Sequence, residues 1–579
     1  MDDSGPQRAR HFGHSGCVWS LSDLKRSRDS QYTYYAYWSA FLVPRVRVQK
    51  VSFEVESGTP LDVALYKEGW ISYRSSVKFG RPRGIADASV DYGDNLCVQV
   101  TGEGLVDPTR YRVVRDVEVA FGHRATAGSR ISERLRRFFG AGFQNNLLMR
   151  GGVGWNVTRR VITGSANLEQ ISHFRPAELS KVEFLKVGNL IVGGGLAGLG
   201  VAVALDACGR DFALVESSGV LGGRVEIVRR LLNAAPSTRA PNDDAAEIRS
   251  LLRLIESGSA AFRSGRGRLI EGTFTGFYEE KIGLVLCSGA AIAVSFDNII
   301  FANGSRSPVP LLKGNDLPGV ISIDYAARLA AHGALRGKTI LYSEDKWSSL
   351  VGRLMAARGA DIEELVQSDR AKIASILGQR RVEAVVFTDG RRKSLSNFVY
   401  GTCRQPALEL PAQAGVGYSW VAAADILRAE VSINGSTALP WLWAVGSVTG
   451  VCELEASYHQ GLAAGYALSQ DDGRSRAELK LVSVRDSAPA PTTKSADAFV
   501  CTCEDVTVRD FEVAAKKGIL GPEKTKRFTG WGTGVCQGKH CLYNGLRTLA
   551  RDGASPYTQR LPITPTPFVV LARLGENAK

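Results

Sequence analysis

The segment Asn189 to Arg224, NLIVGGGLAGLGVAVALDACGRDFALVESSGVLGGR, constrains this chain more than any other stretch. An apolar run, a glycine turn, a run rich in small apolar residues, a second apolar run and an acid predict strand, tight turn, helix and strand in that order. Gly193, Gly195 and Gly198 occupy the GxGxxG positions. The first permits the tight turn, the second lets backbone N–H groups approach a pyrophosphate, and the third lets helix and strand pack closely. Glu216 ends the second strand, where a carboxylate accepts hydrogen bonds from an adenosine ribose. Gly223 and Arg224 close the segment and are counted with this nucleotide site. The pattern leaves the identity of the nucleotide open.

A chain of 579 residues exceeds one hydrophobic core, so about three or four domains are expected. The net charge of +14 is spread over scattered Lys and Arg, without a basic stripe or an aromatic ladder. That distribution argues against nucleic acid and for a solvated basic surface or an acidic protein partner. The first residues, MDDSGPQRARHFGHSG, are polar and carry no leader pattern. The most apolar run is the glycine-broken fingerprint itself, so no membrane span and a cytoplasmic location are expected. Ten cysteines in such a chain point to metal or redox chemistry rather than to disulfides.

In chain order, residues 1–44, with SRDSQYTYYAYWSAF, read as an N-terminal extension. Residues 45–125 alternate short strands around one helix and hold only Cys97, too few thiols for a cluster. Residues 126–187, including LMRGGVGWN, connect this unit to the nucleotide-binding domain, expected at 188–311 and 414–472. Between those halves, 312–413 reads as an inserted domain with a strand–helix–strand core, GKTILYSEDKWSSLVGRLMAARGADIEELVQS. Its turn, SEDKW, lacks glycine, and Glu344 and Asp345 would repel a pyrophosphate there, so this second site is degenerate. A linker at 473–497, a cysteine module at 498–556 and a tail at 557–579 complete the chain. Cys452 reads as a buried structural thiol, as do Cys17, Cys97, Cys208, Cys287 and Cys403, and His459 as a packed histidine.

The first domain, with its loop Arg81, Pro82, Arg83 and Gly84, resembles the small ferredoxin-like domain of heteromeric sarcosine oxidase, proline dehydrogenase and opine oxidase large subunits. The order of strands, insertion and return resembles the two-dinucleotide-binding-domain flavoproteins. Where those proteins usually end the returning strand in Gly-Asp, this chain has Gly446 and Ser447. The resemblance therefore implies FAD or another adenine nucleotide, NAD or ATP, at the fingerprint.

The C-terminal module holds a CxC pair, Cys501 and Cys503, and a CxxxxC pair, Cys536 and Cys541, around one expected amphipathic helix, DFEVAAKKG. Four thiolates suit a 2Fe-2S cluster or a zinc ion, and the spacing departs from the CxxC knuckles of structural zinc. The stretches CTCEDVT, KRFTG and GTGVCQGKHC resemble the bacterioferritin-associated-ferredoxin-type 2Fe-2S domain of dye-linked proline dehydrogenases and hydrogen cyanide synthase. That resemblance implies a cluster on all four cysteines, with Lys526 and Arg527 near it or simply solvated.

The expected fold class is therefore α/β: a Rossmann-like two-dinucleotide-binding-domain core, an N-terminal β-grasp domain without cluster cysteines, and a small helical 2Fe-2S domain. The resemblance implies an oxidoreductase large subunit in a hetero-oligomer. A smaller FAD-containing partner would oxidise the C–N bond of an amine, imino acid or amino acid, with FMN at the subunit interface. No further folate-binding domain follows the cysteine module, an expectation that places the chain with the shorter large subunits. No nucleophile or general-base constellation is present, so no catalytic residue is assigned. Two alternatives stand beside this reading: a self-contained NAD(P)H-dependent FAD and iron-sulfur reductase, and a non-catalytic assembly subunit.

Overall fold

Strand Val182–Val192 begins exposed and ends fully buried, and the architecture is built outward from it. It runs parallel to Phe212–Glu216 on one side and to Ala290–Phe301 on the other. The sheet continues to Gly267–Glu271 beyond the former, and to the antiparallel strands Ile282–Cys287 and Thr273–Tyr278 beyond the latter. Leu442–Ala444 joins parallel to the last residues of Ala290–Phe301. The computed structural model describes residues 43–76, 79–90, 96–121, 182–233, 244–278, 281–287, 290–484, 494–549, 556–559 and 563–576. Most of the expected extension and connecting segment, with Cys17 and LMRGGVGWN, lies outside the described residues. The connection ends sooner than the boundary at 188, because Val182–Val187 already pairs with Ala291–Phe296.

The fingerprint helix, Leu196–Ala207, packs on helix Leu454–Leu468, with Gly200 and Gly461 at the point of closest approach. The insertion carries four parallel strands in the order Val320–Ser322, Asn397–Gly401, Thr339–Ser343 and Ile362–Glu364, with a three-stranded antiparallel sheet beside them. The N-terminal domain is a five-stranded sheet of 51–54, 45–48, 117–120, 98–100 and 104–106 with helix Leu61–Lys67. Asp62 on that helix is completely buried and pairs with Arg328 of the insertion at 2.8 Å. The fold is thus the expected two-dinucleotide-binding-domain α/β core with a β-grasp domain at its front. Among the described residues, no helix is long and apolar enough to cross a membrane.

Three local expectations are corrected. Helix Asp472–Leu479 occupies the start of the expected linker and is tied to helix Leu454–Leu468 by Ser475 Oγ donating to Ala463 O (2.8 Å) and by His459 against Glu478 (2.6 Å). Two helices, Val508–Lys516 and Pro522–Thr529, separate the cysteine pairs where one was expected; Gly521 and Pro522 break the run and start the second. The tail carries helix Phe568–Glu576, whose Val570 packs on Leu284 and Ala291 of the nucleotide sheet. Its apolar spacing is too short to stand out from the sequence.

His332 follows the helix Ile323–Ala331, half-buried among Arg328, Arg230, Arg112 and Lys67. Burial first, and then those cations, hold its imidazole down to about 4 against an ordinary 6.5. Between these values the unfolded chain binds the proton and the folded one does not, so stability falls as pH drops through this window. Denaturant midpoints measured from pH 7 to pH 4 are expected to show that loss, and His332→Gln to reduce it; an unchanged slope in the variant contradicts the assignment.

Candidate functional site

The C-terminal ends of strands Val182–Val192, Phe212–Glu216, Ala290–Phe301 and Leu442–Ala444 meet along one edge, where parallel α/β sheets bind ligands. The fingerprint turn lies there. Gly193 has φ 112°, open only to glycine in practice. A β-carbon on Gly198 would stand 2.0 Å from Gly193 O, so strand and helix can approach only because it is absent. Gly195 caps the fingerprint helix and faces open space, which leaves room for a phosphate at the helix N-terminus. Glu216 accepts hydrogen bonds from Gly194 N and Ser218 N, each at 2.8 Å, which fixes the carboxylate beside the turn.

The remaining sequence-predicted residues converge on the same place. Gly223 sits against Gly195, and Gly446 packs on Ala197 of the fingerprint helix with its N–H donated to Gln460 Oε1 (2.6 Å). Arg224 donates to Ser447 Oγ at 3.2 Å. Burial, and then the charge of Arg404, pull the Arg224 guanidinium down to about 10 against the opposing pull of Asp324, Asp345 and Cys452. Arg404 was missed in sequence; it is held by Asp324 (2.7 Å) and Ser305 and brings a second guanidinium from the insertion toward Arg224. Asp324 already pairs with Arg404, and the positive charge of Arg404 is felt at Arg224 on the same edge. Cys452, expected to be buried, is exposed, because the loop between the Gly446–Thr449 turn and helix Leu454–Leu468 carries it outward.

The insertion's turn is closed from within. Asp345 caps helix Lys346–Ala357 by accepting from Ser348 N at 2.7 Å, and Glu344 accepts from Cys403 N at 3.0 Å. A side-chain carboxylate therefore takes the helix N–H that a phosphate would use.

All four module cysteines are at most 5% exposed. The Cys503 thiol contacts Cys536, Cys536 contacts Cys541, and Cys541 contacts Cys501. Hydrogen bonds from Cys503 and Cys541 hold Cys536 well below the ordinary thiol range, whereas Cys503 and Cys541 are pushed up. Among the described residues, no three His, Cys, Asp or Glu side chains take the arrangement of a single bound ion. Four converging buried thiols nevertheless fit a thiolate-bound cluster as a donor set. Arg527 is solvated, near Glu523 only at 4.0 Å, while Lys526 stands 4.1 Å over the ring of Tyr557.

The module is clamped to the rest of the chain. Arg81 of the N-terminal domain is gripped by Asp505 of the module and Asp316 of the insertion, and its guanidinium lies 3.7 Å over the Phe499 ring. Asn315 exchanges two hydrogen bonds with the backbone of Phe499, both at 3.0 Å. Behind the module lies a cavity of about 40 Å³, lined among others by Asp87, Arg306, Gln405, Glu409 and His540. It has room for roughly three waters and is too small for a cofactor.

A glycine-turn edge in a two-lobed α/β core, with a module of four buried thiols tied to the chain through Arg81 and Asn315, defines a two-dinucleotide-binding-domain fold with an attached cysteine domain. Residues 495–574 match the family model of the sarcosine oxidase A3 domain. The chain is 24% identical over 547 residues to the alpha subunit of sarcosine oxidase from Rhizobium meliloti (strain 1021), a match covering 86% of this chain and 54% of that protein. It thus spans about half the length of that relative. It is 22% identical to an opine oxidase subunit from Agrobacterium tumefaciens (strain Ach5), over 67% of this chain and 92% of that one. The crystal structure of L-proline dehydrogenase from P. horikoshii superposes with a TM-score of 0.69 at 18% identity, covering 92% of this chain and 97% of that one. The resemblance read from the sequence is borne out by these matches.

Proposed function

We propose that this chain is the nucleotide-binding, electron-relaying large subunit of a heteromeric flavin-dependent oxidoreductase. Its substrate class is an amine, imino acid or amino acid, oxidised at the C–N bond on a smaller FAD-containing partner. The observation that carries this reading is the set of four converging buried thiols, tied through Asp505 and Phe499 to Arg81 and Asn315 of the rest of the chain, together with similarity to proteins named as oxidase subunits.

In this reading the turn at Gly193, Gly195 and Gly198 binds the pyrophosphate of FAD, NAD or ATP through its backbone N–H groups. Glu216 orients the ribose, Arg224 offsets phosphate charge, and Gly446 and Ser447 line the far side. Cys501, Cys503, Cys536 and Cys541 hold a 2Fe-2S cluster, which supplies one-electron chemistry when bound. Burial of these thiols excludes water and keeps competing oxidants from them. The Asp345 cap speaks against the insertion as an NAD(P)H site, which a self-contained reductase would need.

Purification from the native source tests this directly. A smaller flavoprotein subunit is expected to co-purify, and acid extraction is expected to release an adenine nucleotide from the large subunit. Gly198→Val is expected to lose that nucleotide and about 1–3 kcal/mol of stability, since the new side chain meets backbone. A chain that comes out alone, with FAD bound and active on NADH, overturns the proposal in favour of the reductase.

A further inference from the structure

Tyr557 reaches the cysteine module from beyond its last helix. The side chain is 2% exposed and packs edge-on against Trp531, with ring centroids 5.0 Å apart. Trp531 is itself pinned, its Nε1–H donating to Cys541 O at 3.1 Å. The Tyr557 hydroxyl threads between two glycines: β-carbons on Gly532 and Gly538 would stand 2.2 Å and 2.1 Å from it. Gly538 lies inside the Cys536–Cys541 loop. The phenol oxygen is therefore lodged against the backbone that carries two of the four thiols.

This hydroxyl is buried and, among the described residues, has no hydrogen-bond partner. Leaving such a donor unmatched is costly, and buried polar groups in native proteins are almost always matched. Its surroundings offer sulfur: Gly538, against which the hydroxyl is lodged, lies between Cys536 and Cys541 in the loop that carries both thiols. The ring is held in place independently by Trp531 and by Lys526.

We propose that Tyr557 is a positioning donor for the cluster: its O–H bonds to a sulfur of the group held by Cys501, Cys503, Cys536 and Cys541 and raises that group's reduction potential. This rests on the cluster reading given above. The reduced form carries one more negative charge than the oxidised form, so a fixed donor to sulfur stabilises it more. The orphaned hydroxyl is the complement of an acceptor that arrives with the cluster.

The test uses the full chain in its native complex, wild type against Tyr557→Phe, which keeps the ring and removes only the donor. Iron and acid-labile sulfide are measured first, then the midpoint potential by EPR-monitored titration, and then exchangeable-proton couplings by pulsed EPR in H₂O and D₂O. The variant is expected to keep its iron and sulfide and to lose one exchangeable-proton coupling. It is also expected to show an about tenfold smaller equilibrium constant for reduction, 59 mV for one electron. Full iron content with unchanged potential and coupling overturns the proposal. A wild-type complex without iron and sulfide overturns the cluster reading itself, and with it this inference. Should Tyr557→Phe lose iron, 3-fluorotyrosine placed at 557 keeps ring and hydroxyl while strengthening the donor. The potential must then rise, and a potential that stays or falls overturns the proposal.

Discussion

Arg81→Ala is expected to destabilise the protein by about 3–5 kcal/mol and to expose the cysteine module to protease. The side chain is only 10% exposed, with Asp316 at 10% and Asp505 at 1% on either side. Asp505 also accepts from Phe79 N at 3.0 Å and from Arg81 Nε at 3.1 Å. Removing the guanidinium leaves two carboxylates facing each other with little water, and the loss is dominated by that uncompensated charge rather than by the lost attraction. Arg81→Lys is expected to recover only part of it, because one ammonium cannot fork between two carboxylates as a planar guanidinium does. Chemical denaturation and limited proteolysis of the two variants read this out. Wild-type stability in Arg81→Ala would falsify the account of the clamp.

Cys536→Ser is expected to abolish iron and sulfide binding and bleach visible absorbance while leaving the fingerprint nucleotide in place. Cys536 contacts both Cys503 and Cys541 and so joins the CxC pair to the CxxxxC pair. A serine there offers a hydroxyl that ionises far less readily than a thiol, and the set falls from four soft donors to three. The retained nucleotide separates this outcome from general unfolding. Unchanged iron and sulfide content would remove Cys536 from the ligand set, and with it the symmetry of two pairs on which the assignment rests.

The parts of this molecule that the sequence announces are those where one local pattern has one physical cause. GxGxxG is legible because Gly198 and Gly193 must nearly touch and no other residue permits it. The paired cysteines are legible because thiols at short spacing have few other uses. The missed contacts join residues distant in sequence. Arg81 and Asp505 stand in different domains, and each looks like an ordinary surface charge until the fold brings them together. Arg404 likewise lies in an unremarkable loop of the insertion and meets Asp324 and Ser305 only in the fold. Tyr557, set in a polar stretch after the last cysteine, carries no periodicity; its significance comes from two glycines contributed by other turns, one of them between Cys536 and Cys541. Cys452 differs for the converse reason: a lone cysteine without a redox partner reads as a buried structural thiol, while the loop turns it outward.

The Asp345 cap has a meaning beyond the phosphate it displaces. Helix Lys346–Ala357 carries its own counter-anion, accepting at 2.7 Å from its first turn, so the electrostatic demand at that end is met in every copy of the chain. In a lobe that still needed a ligand there, shape would vary with the concentration of that ligand. Here the chain's own carboxylate closes that end of the helix, so the geometry of this lobe between Arg224's edge and the cysteine module does not depend on a ligand at this turn.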